Sequence, residues 1–184
     1  MNNQLIEQVS QLNILANQVV NLLIKENKKI ATAESCTGGI ISSLITSVSG
    51  SSQVFDIGLC TYANSAKEKL IGVSSSTLEK YGAVSSQTAF EMAKGVMTLA
   101  EADFGISVTG IAGPTGGTKQ KPVGTVFLSC TNNVKTKLLH IIVKPPSLLN
   151  ESDIRSYIRF ETAKQALILI NDFLIESKSQ HKKG

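Results

Sequence analysis

Strand-like and helix-like segments alternate along this chain of 184 residues, and the alternation restricts the fold more than any other feature. Near the N-terminus, apolar residues recur every three or four positions and predict an amphipathic helix ending near "KENKK": Leu5, Val9, Leu12, Leu15, Val19 and Leu22. "IATAE" then reads as a short buried strand. "TGGIISSLITSV" reads as a helix with its glycines in the first turn, where their low helix propensity costs least.

The same alternation continues to the C-terminus. "VFDIGLCTY" reads as a strand and "ANSAKEKLIG" as a helix with Asn64 as its N-cap, and "SSQTAFEMAKGVMTLAEA" is a longer helix. "DFGISVTG", "VGTVFLSCT" and "KTKLLHIIVKP" read as strands, the last two joined through the Asn132 and Asn133 turn, and a final helix begins around Asn150. We therefore predict an α/β fold, a three-layer α/β/α sandwich with a mixed central sheet.

Length and composition predict one domain over residues 1–176, followed by a flexible basic tail over residues 177–184. A chain of 184 residues that is 42% hydrophobic is long enough to bury a sizeable core. The net charge of +4 lies partly in the closing "KSQHKKG". Charge therefore gives little reason to expect nucleic acid as a partner.

The cysteines and the apolar segments indicate the compartment. Cys36, Cys60 and Cys130 show no C-x-x-C spacing, so we expect neither a disulfide framework nor a metal site. The N-terminus lacks the continuous apolar stretch of a signal peptide, and no segment reaches the roughly 20 apolar residues that span a bilayer. We expect a soluble cytoplasmic protein without a membrane partner.

Three unusual segments follow predicted strands: "ESCTGG", "TYANSAK" and "TGIAGPTGGT". In an open α/β sheet, ligands collect beyond the carboxyl ends of the strands. Each segment alone is a weak indication of function. Together they predict a common site at one edge of the sheet.

Ser35 and Cys36 are the candidate nucleophiles in the first of these segments. Ser35 ends a strand and precedes a helix, whose N–H groups and dipole favour negative charge on the hydroxyl oxygen or on a nearby oxyanion. The alternative is that Ser35 merely caps that helix. Cys36 has the same opportunity and is intrinsically the better nucleophile, although buried thiols are more often inert.

A serine nucleophile needs a base, and the sequence restricts the choice. The chain has two histidines, His140 in a strand and His181 in the tail, and it lacks a G-x-S-x-G motif. An S-x-x-K motif fails because Gly38 occupies the lysine position. Lys67, in the first turn of a predicted helix, is a candidate because the dipole and burial both favour its neutral amine. A solvated surface lysine is the alternative.

Other residues are candidates for substrate contacts. Tyr62 is a candidate proton relay or substrate ligand, and otherwise a core aromatic with a hydrated hydroxyl. The loop "GIAGPTGGTKQKP" lets backbone N–H groups approach an anion, although it is not a P-loop and Pro114 removes one donor. A long flexible connection is its alternative. Arg155 and Arg159 are either a phosphate clamp or solvated side chains.

At these residues the sequence resembles a known family. "TAESCTGG", "TYANSAK", "YGAVS", "SVTGIAGPTGGTKQKPVGTV" and "RSYIR" together resemble the CinA C-terminal domain, also called the PncC or nicotinamide-nucleotide amidase family, from about Asn3 to Leu174. The resemblance implies hydrolysis of nicotinamide mononucleotide to nicotinic acid mononucleotide and ammonia, without metal or organic cofactor. It also implies a cytoplasmic homo-oligomer acting on a small pyridine nucleotide.

Carried over by motif, the resemblance makes Ser35 the nucleophile, Lys67 its general base and Tyr62 a supporting catalytic group. It implies a substrate-binding set made of the residues around the nucleophile, the glycine-rich loop and one arginine: Glu34, Thr37, Gly38, Gly39, Asn64, Thr109, Gly110, Ala112, Gly113, Gly116, Gly117, Thr118 and Arg159. "KPPSLLNESDIR" departs from the glycine-containing approach expected there, so no role is carried over to Arg155.

The resemblance leaves two alternatives open. In many relatives this domain follows a larger N-terminal domain, and we expect the present chain to be the stand-alone form. Some relatives keep the domain without clear amidase activity, so a catalytically inactive nucleotide-binding or interaction module is the alternative function. A third reading keeps the enzyme but assigns the attack to Cys36.

Overall fold

The order of helices and strands follows the predicted alternation. The computed structural model describes residues 3–147 and 149–181, and the side chains of residues 10–147 and 149–177. Its elements are α1 (Asn3–Glu26), β1 (Ile30–Glu34), α2 (Ile40–Thr46), a one-turn 3-10 helix (Ser51–Gln53), β2 (Gly58–Cys60), α3 (Asn64–Ile71), α4 (Ser75–Tyr81), α5 (Ser86–Leu99), β3 (Phe104–Gly110), β4 (Thr125–Thr131), β5 (Thr136–Ile142) and α6 (Glu151–His181).

A mixed five-stranded sheet in the order β2-β1-β3-β4-β5 forms the middle layer. Strand β1 pairs in parallel with both β2 and β3, whereas β4 and β5 add antiparallel. Glu34, the last residue of β1, lies between Cys60 of β2 and Val108 of β3. The carboxyl ends of the three parallel strands therefore share one edge, and the segments that follow them emerge side by side.

Helices cover both faces of this sheet, which confirms the three-layer α/β/α prediction. On one face, Ile30, Ile106 and Val108 pack against α1, α2 and α6. On the other face, Ala31 and Ala33 pack with residues of α3, α4 and α5. Alternate residues of a strand point to opposite faces, so β1 and β3 are buried on both sides and read as nearly continuous apolar runs.

A glycine in β3 sets how closely α5 approaches the sheet. A Cβ atom at Gly105 would overlap the backbone carbonyl of Ala93 in α5. The hydroxyl of Ser107, two residues along the same face, donates to the carbonyl of Ala89. Helix α5 therefore lies directly against β3, and the adjoining segment at residues 82–85 is held near the carboxyl edge.

Several predicted boundaries are wrong. Gly39 is the N-cap of α2 at a positive φ of 96°, so the glycines form the turn before the helix instead of its first turn. Strand β2 has three residues instead of nine, and Ala63 instead of Asn64 is the N-cap of α3. Helix α6 continues past the predicted start of the tail to His181, because no proline or glycine interrupts it; residues 182–184 lie outside the described range.

Within the described ranges, no helix is long and apolar enough to cross a membrane.

Candidate active site

The three segments that follow β1, β2 and β3 enclose a cleft of about 260 Å³ at the carboxyl edge of the sheet. It is lined by Ser35, Cys36, Tyr62, Lys67, Ala83, Val84, Thr109, Gly110, Ile111, Ala112, Gly113, Thr115, Gly116 and Arg155. A larger groove of about 640 Å³ runs between α3 and α5 and contains none of the predicted site residues. The smaller cleft is the candidate site because the reactive side chains converge there.

Ser35 extends β1 by one residue into this cleft. Its N–H donates to the carbonyl of Val108 at 2.9 Å, and its own carbonyl accepts from the N–H of Gly38 at 3.2 Å. Gly38 and Gly39 both have positive φ, so the chain reverses directly behind Ser35. The hydroxyl is thus presented on a tight turn at the end of a central strand.

Lys67 lies opposite Ser35 and is fully buried. It is the fourth residue of α3, and its Nζ lies 3.3 Å from Ser35 Oγ. The same nitrogen lies 2.9 Å from the carbonyl oxygen of Thr61 and 3.0 Å from that of Tyr62. Among the described residues, no carboxylate forms an ion pair with it. The predicted pairing of Ser35 with Lys67 is therefore present in the geometry.

The surroundings of Lys67 favour its neutral form. Burial lowers the pKa of the Lys67 amine, while the thiols of Cys36 and Cys60 act in the opposite direction. A neutral amine carries two hydrogens and one lone pair. Its two hydrogens can go to the carbonyls of Thr61 and Tyr62, which leaves the lone pair facing the hydroxyl of Ser35. This arrangement suits a base that accepts a proton from Ser35.

Cys36 lines the same cleft, but its thiol is poorly prepared to attack. Its side chain is buried, and burial raises the pKa of the Cys36 thiol to about 12. The thiolate is the nucleophilic form of cysteine, and such a pKa leaves very little thiolate at neutral pH. The geometry thus favours Ser35 over Cys36.

Glu34 was expected to bind substrate, but its carboxylate is committed inside the protein. The side chain is completely buried. Oε2 accepts from the N–H groups of Gly39 and Ile41, and Oε1 accepts from the N–H and hydroxyl of Ser42. Glu34 therefore caps α2, and three of the N–H groups that were expected to stabilise negative charge at Ser35 are already taken, those of Gly39, Ile41 and Ser42.

Tyr62 contributes through its main chain and lies at the mouth of the cleft. Its carbonyl accepts from Lys67, whereas the residue as a whole is 63% exposed and its hydroxyl lies 3.4 Å from Nη2 of Arg155. Within the described structure, this hydroxyl makes no hydrogen bond to Ser35 or Lys67. The geometry favours a substrate contact over a proton relay between them.

The two arginines of α6 have different environments. Arg155 lines the cleft and donates to the carbonyl of Gly113 at 2.9 Å. Arg159 donates to the carbonyl of Thr37 at 2.7 Å, outside the cleft lining. The arginine that the resemblance selected thus supports the turn after Ser35, and the arginine without a carried-over role faces the cleft. Sequence reasoning could not separate them because they lie one turn apart on one helix.

Other residues of the predicted substrate set divide in the same way. Those of the set that line the cleft are Thr109, Gly110, Ala112, Gly113 and Gly116. Those that do not are Glu34, Thr37, Gly38, Gly39, Asn64, Gly117, Thr118 and Arg159. Two residues outside the lining make hydrogen bonds that hold the backbone near the cleft. The carbonyl of Thr37 accepts from Arg159, and Thr118 Oγ1 accepts from the N–H of Lys121.

A second wall of the cleft was not predicted from the sequence. Ala83 and Val84 lie in the connection between α4 and α5, and Thr109 donates to the carbonyl of Ala83. Lys121 Nζ donates to the carbonyl of Val84 at 2.6 Å, which ties the glycine-rich loop to this wall. The motif "YGAVS" contains both wall residues and was the signal that could have identified them.

The charge of the cleft is positive. Arg155 supplies this charge, because the buried Lys67 amine is held neutral and the lining contains no aspartate or glutamate. Arg155 forms no ion pair with a carboxylate in the described part of the chain. An anionic group of a substrate would therefore find a guanidinium available for charge-assisted hydrogen bonds. The described residues also contain no cluster of three or more histidine, cysteine, aspartate or glutamate side chains suited to a metal ion.

Comparison with known proteins identifies close relatives of this chain. The sequence model of the CinA C-terminal domain matches residues 12–174. A CinA-like protein of Endomicrobium trichonymphae is 44% identical over 165 residues, covering 90% of this chain and 37% of that protein. The chain thus spans about a third of the length of the curated relatives it matches.

Solved structures give the same result at the level of the fold. A CinA superfamily protein of Klebsiella pneumoniae superposes with a TM-score of 0.82 at 27% identity, covering 90% of this chain and 98% of that chain. The competence/damage inducible protein CihA of Agrobacterium tumefaciens gives 0.77 at 39% identity, covering 88% and 96%. The names of these proteins state no reaction.

Proposed function

Because this chain belongs to the CinA C-terminal domain family, we propose that its cleft is the active site of an amidohydrolase. The proposed substrate is nicotinamide mononucleotide, and the products are nicotinic acid mononucleotide and ammonia. The observation that carries the proposal is the buried Lys67 amine 3.3 Å from the Ser35 hydroxyl, without a carboxylate to hold it as ammonium. A serine with an adjacent base is the arrangement that acyl transfer requires.

The first half of the reaction forms an acyl-enzyme. Lys67 accepts the proton of Ser35 as Oγ attacks the carboxamide carbon, and a tetrahedral intermediate results. When this intermediate collapses, the C–N bond breaks and the Lys67 ammonium returns the proton to the leaving nitrogen, which departs as ammonia. Ser35 then carries the pyridine acyl group as an ester.

The second half returns the enzyme to its starting state. Lys67, neutral again, accepts a proton from a water molecule as that water attacks the ester carbonyl. Collapse of the second intermediate releases the carboxylic acid and returns the proton to Ser35 Oγ. Water is the only co-substrate in this sequence of steps.

The oxyanion of each intermediate needs hydrogen-bond donors other than those of α2, which Glu34 occupies. Ala112 and Gly113 line the cleft, and their backbone N–H groups donate no hydrogen bond to another described residue. Unpaired N–H groups on the walls of a small cleft are the kind of donor that stabilises a tetrahedral oxyanion. We assign the oxyanion to this set.

The positive charge of the cleft supports a substrate that carries a phosphate. Arg155 is the residue we assign to that phosphate, with help from the N–H groups of Thr115 and Gly116. The phosphate lies away from the reacting carbon, but the binding energy obtained there would orient the carboxamide against Ser35. A neutral amide of the same pyridine ring would lose that contribution.

The test is ammonia release from nicotinamide mononucleotide by the purified protein. We expect turnover by the wild type and by Cys36→Ala, and rates lower by on the order of 10²–10⁴-fold for Ser35→Ala and Lys67→Met. Full turnover by either of the last two variants would remove its proposed role. No turnover by the wild type, with retained binding of the nucleotide, would support an inactive nucleotide-binding module instead.

The same assay separates the two nucleophiles. If Cys36 attacked, Cys36→Ala would be inactive while Ser35→Ala kept its activity, and iodoacetamide would abolish turnover. The raised pKa of the buried Cys36 thiol leads us to expect the reverse for both alanine variants.

A further inference from the structure

The segment that presents Ser35 is closed by a single carboxylate. Glu34 precedes Ser35 directly, and its oxygens reach forward to the N–H of Gly39 at 3.0 Å, of Ile41 at 3.1 Å and of Ser42 at 2.8 Å. The hydroxyl of Ser42 adds a fourth hydrogen bond at 2.7 Å. The nucleophile therefore lies in a loop whose two ends are joined through one side chain.

A helix cap normally comes from the residue at the N-cap position or from a neighbour within the first turn. In α2 the N-cap is Gly39, which has no side chain, and the capping carboxylate comes instead from the last residue of β1. Glu34 is also fixed on both sides by the sheet, paired with Cys60 and Val108. The cap thus ties the start of α2 to the centre of the sheet.

The turn between these two anchors is buried at Cys36 and Thr37, and few hydrogen bonds other than those of Glu34 hold its backbone. Gly38 and Gly39 give it backbone freedom, and Arg159 holds the carbonyl of Thr37 from the side of α6. Glu34 adds four charge-assisted hydrogen bonds to one buried carboxylate, each about twice as strong as a neutral one. A small rotation of this turn would change the distance between Ser35 Oγ and Lys67 Nζ.

We propose that Glu34 is a positioning residue for catalysis: by clamping residues 39–42 to the end of β1, it holds the Ser35 hydroxyl within reach of the Lys67 amine. This inference rests on the proposed role of Ser35 as nucleophile. Glu34 touches neither the substrate nor the reacting atoms. It also occupies the N-terminus of α2, so that negative charge developing at Ser35 is directed to the other side of the cleft.

The test measures Ser35 itself, so it does not depend on the identity of the substrate. A sulfonyl fluoride reagent modifies an activated serine. Mass spectrometry measures the rate at which the wild-type protein gains the mass of the sulfonyl group, and Ser35→Ala serves as the blank. We expect Glu34→Ala to label on the order of 10²-fold more slowly, the loss that a misplacement of about 1 Å causes. Turnover should fall in kcat, with little change in KM, because the phosphate contacts are unaffected.

Acetate tests whether the missing carboxylate itself is what slows the labelling of Ser35. The atoms removed in Glu34→Ala are one methylene and one carboxylate, which acetate replaces. We expect added acetate to restore much of the labelling rate of Glu34→Ala and to leave the wild type unchanged. Failure of acetate to change the rate of a folded Glu34→Ala protein would count against the proposed clamp.

Glu34→Gln covers the case in which the alanine variant does not fold. Glutamine keeps the volume but places an NH₂ group against backbone donors, so labelling should still be slower than in wild type. Glu91→Gln is the matched control, because Glu91 also accepts from the start of a seven-residue helix, at Ser74 N–H and the Thr77 hydroxyl of α4, away from the cleft. It should label at the wild-type rate.

The outcomes are distinguishable from failure of the proposed function. Labelling of Glu34→Gln at the wild-type rate, or an equal loss in Glu91→Gln, overturns the positioning role. If the wild type is labelled at Ser35 but releases no ammonia from nicotinamide mononucleotide, the proposed substrate is wrong, and the labelling rates still measure the effect of Glu34.

Discussion

Replacing Lys67 by methionine should change the stability of the protein in a way that depends on pH. The Lys67 side chain is fully buried without a carboxylate partner, and burial lowers its pKa from the ordinary value of 10.5. Between the lowered pKa and 10.5, the unfolded chain therefore binds a proton that the folded chain does not. Wild-type stability then rises with pH across that window, by at most about 1.4 kcal/mol per pH unit.

Methionine has no proton to lose, so this part of the pH dependence disappears in Lys67→Met. The variant also leaves the carbonyls of Thr61 and Tyr62 without their donor, at a cost of about 1–3 kcal/mol for each unsatisfied group. That cost shifts the difference in unfolding free energy between the two proteins by a constant amount. It does not change how that difference varies with pH. The stability of Lys67→Met relative to wild type should therefore be highest at low pH and should fall as the pH rises towards 10.5.

Urea unfolding followed by circular dichroism, in steps from neutral pH to 10.5, measures the difference. Lys69→Met is the control, since Lys69 lies two residues along α3 at an exposed position and reports the effect of methionine on that helix. A stability difference between wild type and Lys67→Met that stays constant over the whole range would refute the desolvated amine. A difference that grows in favour of the variant with rising pH would refute it as well.

Further predictions concern the reaction and the walls of the cleft. Lowering the pH through the lowered pKa of Lys67 should reduce kcat/KM by about tenfold per pH unit, as in a pH–rate profile with one essential base; a flat acid limb would exclude Lys67 as the base. Arg155→Met should raise KM for nicotinamide mononucleotide by about 10–100-fold, corresponding to a charged hydrogen bond of about 1.5–3 kcal/mol, while KM for the nucleoside without phosphate stays the same. Lys121→Met removes the link to Val84 and should raise KM with little effect on kcat; a fall in kcat alone would mean that this link acts on the chemistry. Gly105→Ala should destabilise the fold by about 1–3 kcal/mol in urea unfolding, because the added methyl overlaps Ala93 in α5, and a neutral effect would mean that α5 can move.

Much of the fold could be predicted because its signals are local. The buried runs of β1 and β3 and the amphipathic stripe of α1 appear in the sequence as periodicities of individual segments. The position of the site followed from the same reasoning, since the ends of neighbouring parallel strands must share an edge. Ser35 and Lys67 became candidates for this reason, from two segments that are separate in the chain, and the family resemblance assigned their roles.

The errors concern side chains whose partners are distant in the sequence or chosen by packing. Capping was expected from residues next to each helix, as at Asn64, but Glu34 caps α2 from the end of a strand because its side chain is long enough to reach over the turn. Arg155 and Arg159 lie on one side of α6, and only the way in which that helix crosses the sheet places Arg155 in the cleft.

The amino-acid sequence by itself determined the order of strands and helices, the edge at which the site lies and the types of side chain available there. Periodicity and chain direction suffice for these features. Tertiary structure alone decided that the Lys67 amine is buried beside Ser35 and that the Glu34 carboxylate accepts its hydrogen bonds from the start of α2. The physical reason is that a pKa and a free hydrogen-bond donor depend on what surrounds a group in three dimensions, and contacts between distant segments form those surroundings.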